Sequence, residues 1–484
     1  MKIKISIFFF VFSFLLKSCV LCQEITFEYI LSTDFDERVS DIFESQNNNI
    51  YLTGVFTNIL HPYNNYGLIL KLDKYGELID SIHIGFPGKG MYINNFHPID
   101  NQNYLIPTSI YDTLGTFKNS AIVFYNMDND LNLTNQITNY LPPEYRCTSF
   151  VSEIEENGNI LVGGSIYYNS NTPRPFLYEF NSDLDSLKAK FYVNDYGVVS
   201  HVKKLHNGNY WFTKDLHKEY QLVDSSLNYL SNQKVPENLT ANFGVKWDTD
   251  TSFYLLGDKI YPLPSHNLGF IKQYHPIDTT EYIFNEWGVS DTIDFPAAWN
   301  GIDFKNKDSI FVGGTRNFWF WFYNNSSWFI ILQTDSMLNI RWERFYGGDA
   351  YYVMCKLITT IDGGCLVAGT RYDYQHVTEE QTDIIILKLN SDGLLVNTDE
   401  KPVIQMHEAL VYPNPGSDEL RVRVAAQYPQ SLFRLFDMNG KEVLSQKITG
   451  RNATVNTTFL KPGTYIYRIT GKTGLHESGK WVKH

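Results

Sequence analysis

The sequence predicts an all-β chain: a seven-bladed β-propeller followed by a small Ig-like β-sandwich. Three observations carry that prediction. A short apolar run recurs seven times, period-2 alternation holds nearly everywhere, and the pattern changes after "ALVYPNPGSDELRVRV" at 409–424. The runs are "NNIYLTG" ending at Gly54, "QNYLIPT" at Thr108, "GNILVGG" at Gly164, "GNYWFTK" at Lys214, "TSFYLLG" at Gly257, "DSIFVGG" at Gly314 and "GGCLVAG" at Gly369. Spacings of 54, 56, 50, 43, 57 and 55 residues separate them, long enough for one supersecondary unit each.

An alternating segment precedes each copy, as in "VSDIFES" (39–45) and "YVMCKLIT" (352–359). Beyond a variable loop comes another, as in "LILKLDKYGELI" (68–79) and "IIILKLNSDGLL" (385–395). Val, Ile, Tyr and Phe at period 2, punctuated by Asn, Asp and Gly, read as strands joined by hairpins. A unit of about four short strands cannot bury both faces alone and must stack on its neighbours round a ring. A parallel β-helix is the rival, but its coils are shorter and do not end in paired hairpin turns. In "RWERFYGGDAYY" (341–352) the outer strand of one blade passes through Gly347-Gly348 into the inner strand of the next. The N-terminal strand, about 25–31, is expected to close the ring against the repeat ending near Asn390. Leu394–Asn397 competes for that place.

This strand order gathers the short turns on one face of the disc and the long, uneven, aromatic loops on the other. Function on a rigid scaffold usually lives in such loops. The candidate ligand-binding residues are therefore Tyr111, Tyr167, Trp319, Trp321, Tyr323, Tyr372 and Tyr374. Such rings suit the face of a sugar or anchor a protein partner. The densest group, "FWFWFY" (318–323), also reads as a strand burying Phe318, Phe320 and Phe322.

Glycoside hydrolysis needs two facing carboxylates. Asp294, Asp303, Asp349 and Asp373 are available, but nothing in the sequence pairs them, so no catalytic residue is assigned. "TIDGGCLV" (360–367) partly resembles the Asp-box of sialidase-like propellers and reads more simply as a hairpin turn needing Asp and Gly. "DNDLN" (128–132) lacks the glycine and the twelfth-position acid of a calcium loop. The 12 histidines include no HExxH or HxH; His61, His97, His201 and His206 read as surface or loop residues. GxSxG, P-loop and GxGxxG patterns are absent. No cofactor and no metal are expected.

Residues 1–22 have a basic start, an apolar stretch from Ile5 to Leu16, and Val20 and Cys22 before a cleavage point at Gln23, the form of a secretory signal peptide. An alternative places a lipid on Cys19. Removing the leader takes away three lysines and no acid, moving the net charge from −13 to −16. An acidic chain without a basic cluster excludes nucleic acid as a partner, and no later apolar run is long enough to span a membrane. Of Cys147, Cys355 and Cys365, none has CxxC spacing. A tight hairpin at Asp362-Gly363 would set Cys355 opposite Thr370, away from Cys365.

The predicted division is 1–22 signal peptide, 23–400 propeller, 401–409 linker and 410–484 tail. In the tail, Tyr412, Pro413, Asn414 and Pro415 give an extended entry, Leu420 begins an alternating strand, and Asn439-Gly440 and Pro462-Gly463 mark turns. This segment resembles the type A C-terminal sorting domain of the type IX secretion system of Bacteroidetes. The likeness rests on Tyr412-Pro413-Asn414-Pro415 with Leu420, on "LFDMNGKEV" with Asp437 and Gly440, on "LKPGTYIYRI" with Gly463 and Tyr465, and on Lys480 and Lys483. Lys441 stands where the family often has Arg. The resemblance implies export through the periplasm to the cell surface or medium, with the type IX machinery as partner. The ligand of the body, a glycan or a surface protein, is left to the loops; a hydrolase and a plain surface scaffold are the alternatives.

Overall fold

The structure is a computed structural model. It describes residues 25–484 apart from 34, 59–60, 87, 114–118, 169–171, 215–217, 241–243, 262–264, 289–291, 320–323, 377–380, 397–403, 407–408, 413, 425–429, 451 and 472–475. The side chains of 58, 61–64, 148–149, 168, 404–406, 410, 412, 423, 452 and 476–477 are likewise outside the description. The chain is all β; among the described residues the one helical element is a 3-10 turn at Pro236–Asn238.

Seven sheets of four or five strands, antiparallel but for one edge strand of the seventh, fill the body among the described residues. The first runs from the inner strand Asp36–Glu44 through Ile50–Asn58 and His61–Leu72 to the outer strand Leu78–Ile84. Each following sheet repeats this meander. The second strands contain the recurring apolar runs, for example Tyr210–Lys214 in the fourth sheet and Cys365–Tyr372 in the seventh. Side chains on both faces of these strands are buried, which is why the runs are continuously apolar.

The seventh sheet closes the ring. Its strands Tyr351–Thr359, Cys365–Tyr372 and Asp383–Leu389 are completed by Phe27–Ser32, which pairs antiparallel with Asp383–Leu389, Ile30 opposite Ile385. The N-terminal strand thus takes the expected place. Residues 394–396, the described part of the competing segment, do not; instead Ile404–Met406, inside the expected linker, lies parallel to Phe27–Ser32 on the outer edge. Apolar clusters are shared between successive sheets, and the last joins Leu366, Ile384 and Ile386 of the seventh sheet to Val39, Leu52 and Leu68 of the first.

Polar contacts tie the inner strands and their turns round the axis. Asp41 accepts the Phe96 N–H at 3.1 Å, and Asn94 accepts that of Phe150 at 3.0 Å. Lys203 reaches Glu153 at 2.9 Å and the His206 N–H reaches Asp250 at 3.0 Å. Lys246 pairs with Asp303 at 2.7 Å, Asp303 accepts the Thr359 N–H at 2.7 Å, and Lys356 pairs with Asp41 to complete the circuit.

The inner strands carry bulges, between Val39 and Asp41, Cys147 and Phe150, Val199 and His201, and Met354 and Lys356. A bulge bends its strand and presses a carbonyl toward the neighbour. A Cβ on Gly54 would lie 2.3 Å from the Arg38 carbonyl oxygen, and one on Gly369 2.3 Å from that of Val353. That contact is the physical reason for the glycine that ends most of the repeat runs.

One sequence expectation needs correction. The hairpin after Thr359 has a five-residue loop, with Gly363 at φ +89° and Thr359 opposite Cys365, so Val353 rather than Cys355 faces Thr370. Cys355 sits at the bulge; it and Cys365 are buried free thiols, pushed well up by burial. The turns between third and fourth strands need no glycine: Leu131, Leu184, Leu227 and Leu338 take φ of 59° to 70°. Such a backbone costs roughly 1–2 kcal/mol for an L-residue. Their side chains, at most 6% exposed, offset it by about 2 kcal/mol each of apolar burial. "DNDLN" is one of these turns, Asp128 accepting the N–H groups of Asp130 and Asn132 at 2.9 and 2.8 Å.

The tail has a three-stranded sheet, Ala409–Tyr412, Glu419–Val424 and Asn452–Asn456. Its second sheet has four strands, Glu442–Thr449, Gln430–Phe436, Gly463–Gly471 and His476–Lys483. Both contribute to one core that includes Val411, Leu420, Leu435, Val455, Ile469 and Trp481.

Candidate functional site

At the seam where the closing sheet meets the sixth, the loop-face ends of the strands frame a cleft of about 510 Å³. Tyr352, Arg371 and Asp383 follow one another across the ladder of the seventh sheet. Because side chains alternate along a strand, Arg371 and Asp383 share a face with Ile385, Leu387 and Ile30. The cleft therefore has an apolar floor and a charged mouth.

The mouth centres on Arg371. Its guanidinium lies 3.0 Å from Asp349 and 3.2 Å from Asp373, and its Nε donates to the Tyr352 hydroxyl at 3.2 Å. That hydroxyl donates to Asp349 at 2.7 Å. His376 meets the other side of Asp373 at 2.9 Å, and Gln375 donates to the Asp349 carbonyl at 3.2 Å.

Burial alone would raise Asp349 and Asp373, but hydrogen bonds from Tyr352 and Arg371 to the first, and His376 and Arg371 beside the second, hold both below the usual range. Asp383 and Glu28 face the same cleft with weaker support. Burial pushes Asp383 up to about 6, and burial with nearby Asp349 raises Glu28. Carboxylates held apart in acidity within one cleft are a feature of functional sites.

Of the carboxylates available in the sequence, the structure brings Asp349 and Asp373 together. Asp294 is fully buried, and Asp303 belongs to the axial circuit. Trp319 and Tyr374 are not among the residues lining the cleft: the Trp319 backbone N–H donates to the Tyr351 hydroxyl at 3.2 Å, and Tyr374 meets Ser326 at 3.0 Å. Tyr372 pairs with Tyr351 in the ladder but is 6% exposed, and Tyr111 is 3% exposed with Asn65 donating to its hydroxyl at 3.2 Å. Rings so enclosed present no face to a ligand. Tyr167 stands apart, under the Arg146 guanidinium at 4.5 Å. Trp321 and Tyr323 lie outside the described residues.

His97 and His201 are half-buried, between surface and core. They line the axis, His97 2.8 Å from Ser152 and His201 3.4 Å from Thr213, and burial lowers them to about 4 and about 3. His206 is exposed beside Asp250 at 2.7 Å, and the side chain of His61 lies outside the described residues. Among the described residues no group of three or more His, Cys, Asp or Glu is placed to hold a metal.

The motif residues of the tail converge. Asn414 is buried; its Nδ2 donates to the Lys480 carbonyl and its Oδ1 accepts the Val482 N–H, both at 2.7 Å. The Asn414 N–H donates to His83 of the body at 2.7 Å, and the Lys480 ammonium reaches Asn132 at 2.9 Å. Lys483 donates to the Thr457 carbonyl at 2.6 Å, and Tyr465 to that of Lys461 at 2.7 Å while packing on Trp481. Asp437 caps its turn by accepting the Asn439 and Lys441 N–H groups at 2.9 and 3.0 Å, with Gly440 at φ +78°. Leu420 is fully buried and Gly463 opens its strand, paired with Lys483. Pro415 follows Asn414 through a cis peptide bond, Pro413 lies outside the described residues, and so does the side chain of Tyr412.

Residues 410–484 match the family described as the secretion system C-terminal sorting domain. The tail is a type IX secretion sorting domain. This sorting domain marks the chain for export to the cell surface or medium and implies contact with the secretion machinery. No curated protein matches the chain.

Among solved structures, an inactive virginiamycin B lyase from Staphylococcus aureus is similar at 13% identity and a TM-score of 0.42, covering 75% of this chain and 99% of that one. The polysaccharide lyase Uly1 is similar at 10% identity and 0.40, covering 73% and 90%. The WD40 domain of Toxoplasma gondii coronin is similar at 10% and 0.39, covering 79% and 90%. The region before the sorting domain is propeller-like; likenesses of this depth carry nothing about activity. Among the described residues no helix is long and apolar enough to cross a membrane.

The sequence missed Arg371 and Asp383. Arg371 is next to last in the strand of the seventh repeat run, where a cation at the start of a long loop was a faint signal; nothing local marked Asp383.

Proposed function

We propose that residues 23–400 form a seven-bladed propeller, joined by 401–409 to an Ig-like sorting domain at 410–484. A Bacteroidetes cell exports the chain after removal of the 1–22 signal peptide. In this reading the body binds an uncharged glycan at the closing seam. The observation that carries it is the Arg371 cluster at the mouth of the cleft. Asp349 and Asp373 already occupy the guanidinium, and Glu28 and Asp383 add acid, so an anionic ligand is disfavoured. Hydroxyl donors suit the carboxylates of the mouth. The mature chain on a glycan array should retain a neutral glycan, and Arg371→Ala should abolish that retention. Retention of proteins only, or of nothing, would leave the surface-protein or scaffold reading.

A hydrolase is the second reading, because Asp383 at about 6 is able to donate a proton beside an ionised Asp373. A hydrolysis screen run in parallel tests it: turnover should fall above about pH 6, following Asp383, and vanish in Asp383→Asn.

A further inference from the structure

The internal repeat supplies its own comparison. Its runs end in glycine in five copies, in Thr108 in one and in Lys214 in one. Lys214 stands opposite Val199 in the fourth sheet, as Gly54 stands opposite Val39 and Gly369 opposite Met354. A long charged side chain has replaced a residue that elsewhere touches a carbonyl.

Lys214 is 5% exposed, and its ammonium lies 3.0 Å from each carboxylate oxygen of Asp195 and 3.3 Å from Glu219. Burying an ammonium is costly unless it is fully paired. A chain that breaks its own structural rule and then compensates for it marks a place kept for another purpose.

Lys214 lines a cleft of about 630 Å³ between the outer strands of the third and fourth sheets. The outer strand of the fourth sheet, Tyr229–Lys234, is exposed at every residue, whereas that of the sixth, Ile340–Gly347, is half-buried at alternate positions. The fourth sheet's outer strand is thus open to solvent along its length, and the cleft lies against it. Within it the Tyr229 ring is fixed. Its hydroxyl donates to Asp195 at 2.5 Å and it packs against Tyr192 at 4.6 Å, yet it is 43% exposed. Lys234 pairs with Glu219 at 2.8 Å, so Asp195 and Glu219 are balanced by Lys214 and Lys234, and Lys190, also on the lining, adds one positive charge.

We propose that this cleft is a second binding site, on the rim of the disc, for a neutral sugar ring. The ring lies on the free face of Tyr229, and Asn194, Ser231 and Asn232 take its hydroxyls. Lys214 and Asp195 position the tyrosine and do not themselves grip the sugar. The site stands on observations independent of the closing seam.

Titration calorimetry of the mature chain with cellohexaose, xylohexaose and mannohexaose tests the proposal. At least one should bind, Tyr229→Ala and Asn232→Ala should each weaken it by about tenfold, and Arg371→Ala should leave it intact. Lys214→Gly, which restores the repeat's residue, should weaken binding too. No binding to any of the three overturns the proposal, and so does an affinity unchanged in both Tyr229→Ala and Asn232→Ala. Binding lost only in Arg371→Ala also overturns it, and would assign the sugar to the closing seam instead.

Discussion

The body and the tail carry information in opposite ways. In the body, the residues that recur are structural: Gly54 and Gly369 recur because a bulged neighbour's carbonyl lies against them. The groups able to recognise something, Arg371 with its carboxylates and Lys214 with Tyr229, lie off the repeat or break it. In the tail, the residues that define the match are the ones that make the contacts, Asn414 clamping the last strand and Lys480 reaching the body. A repeat advertises a scaffold, while an address motif advertises itself.

The sharpest way to separate the two is to remove one. Deleting 410–484 should abolish surface delivery and leave a folded body, read by cell fractionation and circular dichroism. Normal delivery of the truncated chain would refute the sorting role.

Next comes a glycine in each part. Gly369→Val drives a side chain into the Val353 carbonyl and should cost about 3 kcal/mol or more of stability in urea unfolding. Gly440→Val in the tail meets nothing within 4 Å and pays only for its φ of +78°, about 1–2 kcal/mol. Equal costs would show that the body's repeat glycines are not held by contact.

The pH dependence of the body follows from two acids. Asp383, raised to about 6 by burial, contributes stability that is complete below about pH 4 and lost as pH rises through 6, about 3 kcal/mol in all. Glu179 runs the other way. Burial would raise it, but hydrogen bonds from Lys188, Tyr210, Lys204 and Asn159 hold it at about 2, so its contribution is present above about pH 4.5 and lost as pH falls toward 2. Thermal melts should therefore show greatest stability between about pH 4 and 5, with the high-pH decline removed in Asp383→Asn.

The smallest effect is at the join. Lys480→Ala loses the contact with Asn132 and should change stability by less than about 1 kcal/mol. Faster proteolysis between body and tail is the measurement that detects it.

Much of the fold was legible because it is periodic. Alternation placed Phe27–Ser32 against Asp383–Leu389, and the Gly347-Gly348 link between sheets follows from one continuous pattern. The loop at 360–364 was miscounted because Asp-Gly serves both two-residue and longer turns. The turn leucines were hidden because their burial, a tertiary effect, overrides the local preference for glycine. His97 and His201 looked peripheral because nothing local reports which residues of an inner strand meet across an axis. The candidate site was legible only in fragments. Asp349 and Asp373 were visible as acids, but Arg371, which joins them, acts across strands that only the ladder brings side by side.

The closing strand also sets an order of events. The ring is shut by the first strand of the body pairing with residues near Leu389, so a growing or threading chain keeps an open edge until almost the whole body is available. The sorting domain comes after that point. Any chain long enough to carry the address already carries Asp383–Leu389, the partner on which the first strand shuts the ring, and a product truncated before Asp383 lacks both. Placing the address after the body makes it a certificate of completeness, issued only to cargo that is able to close.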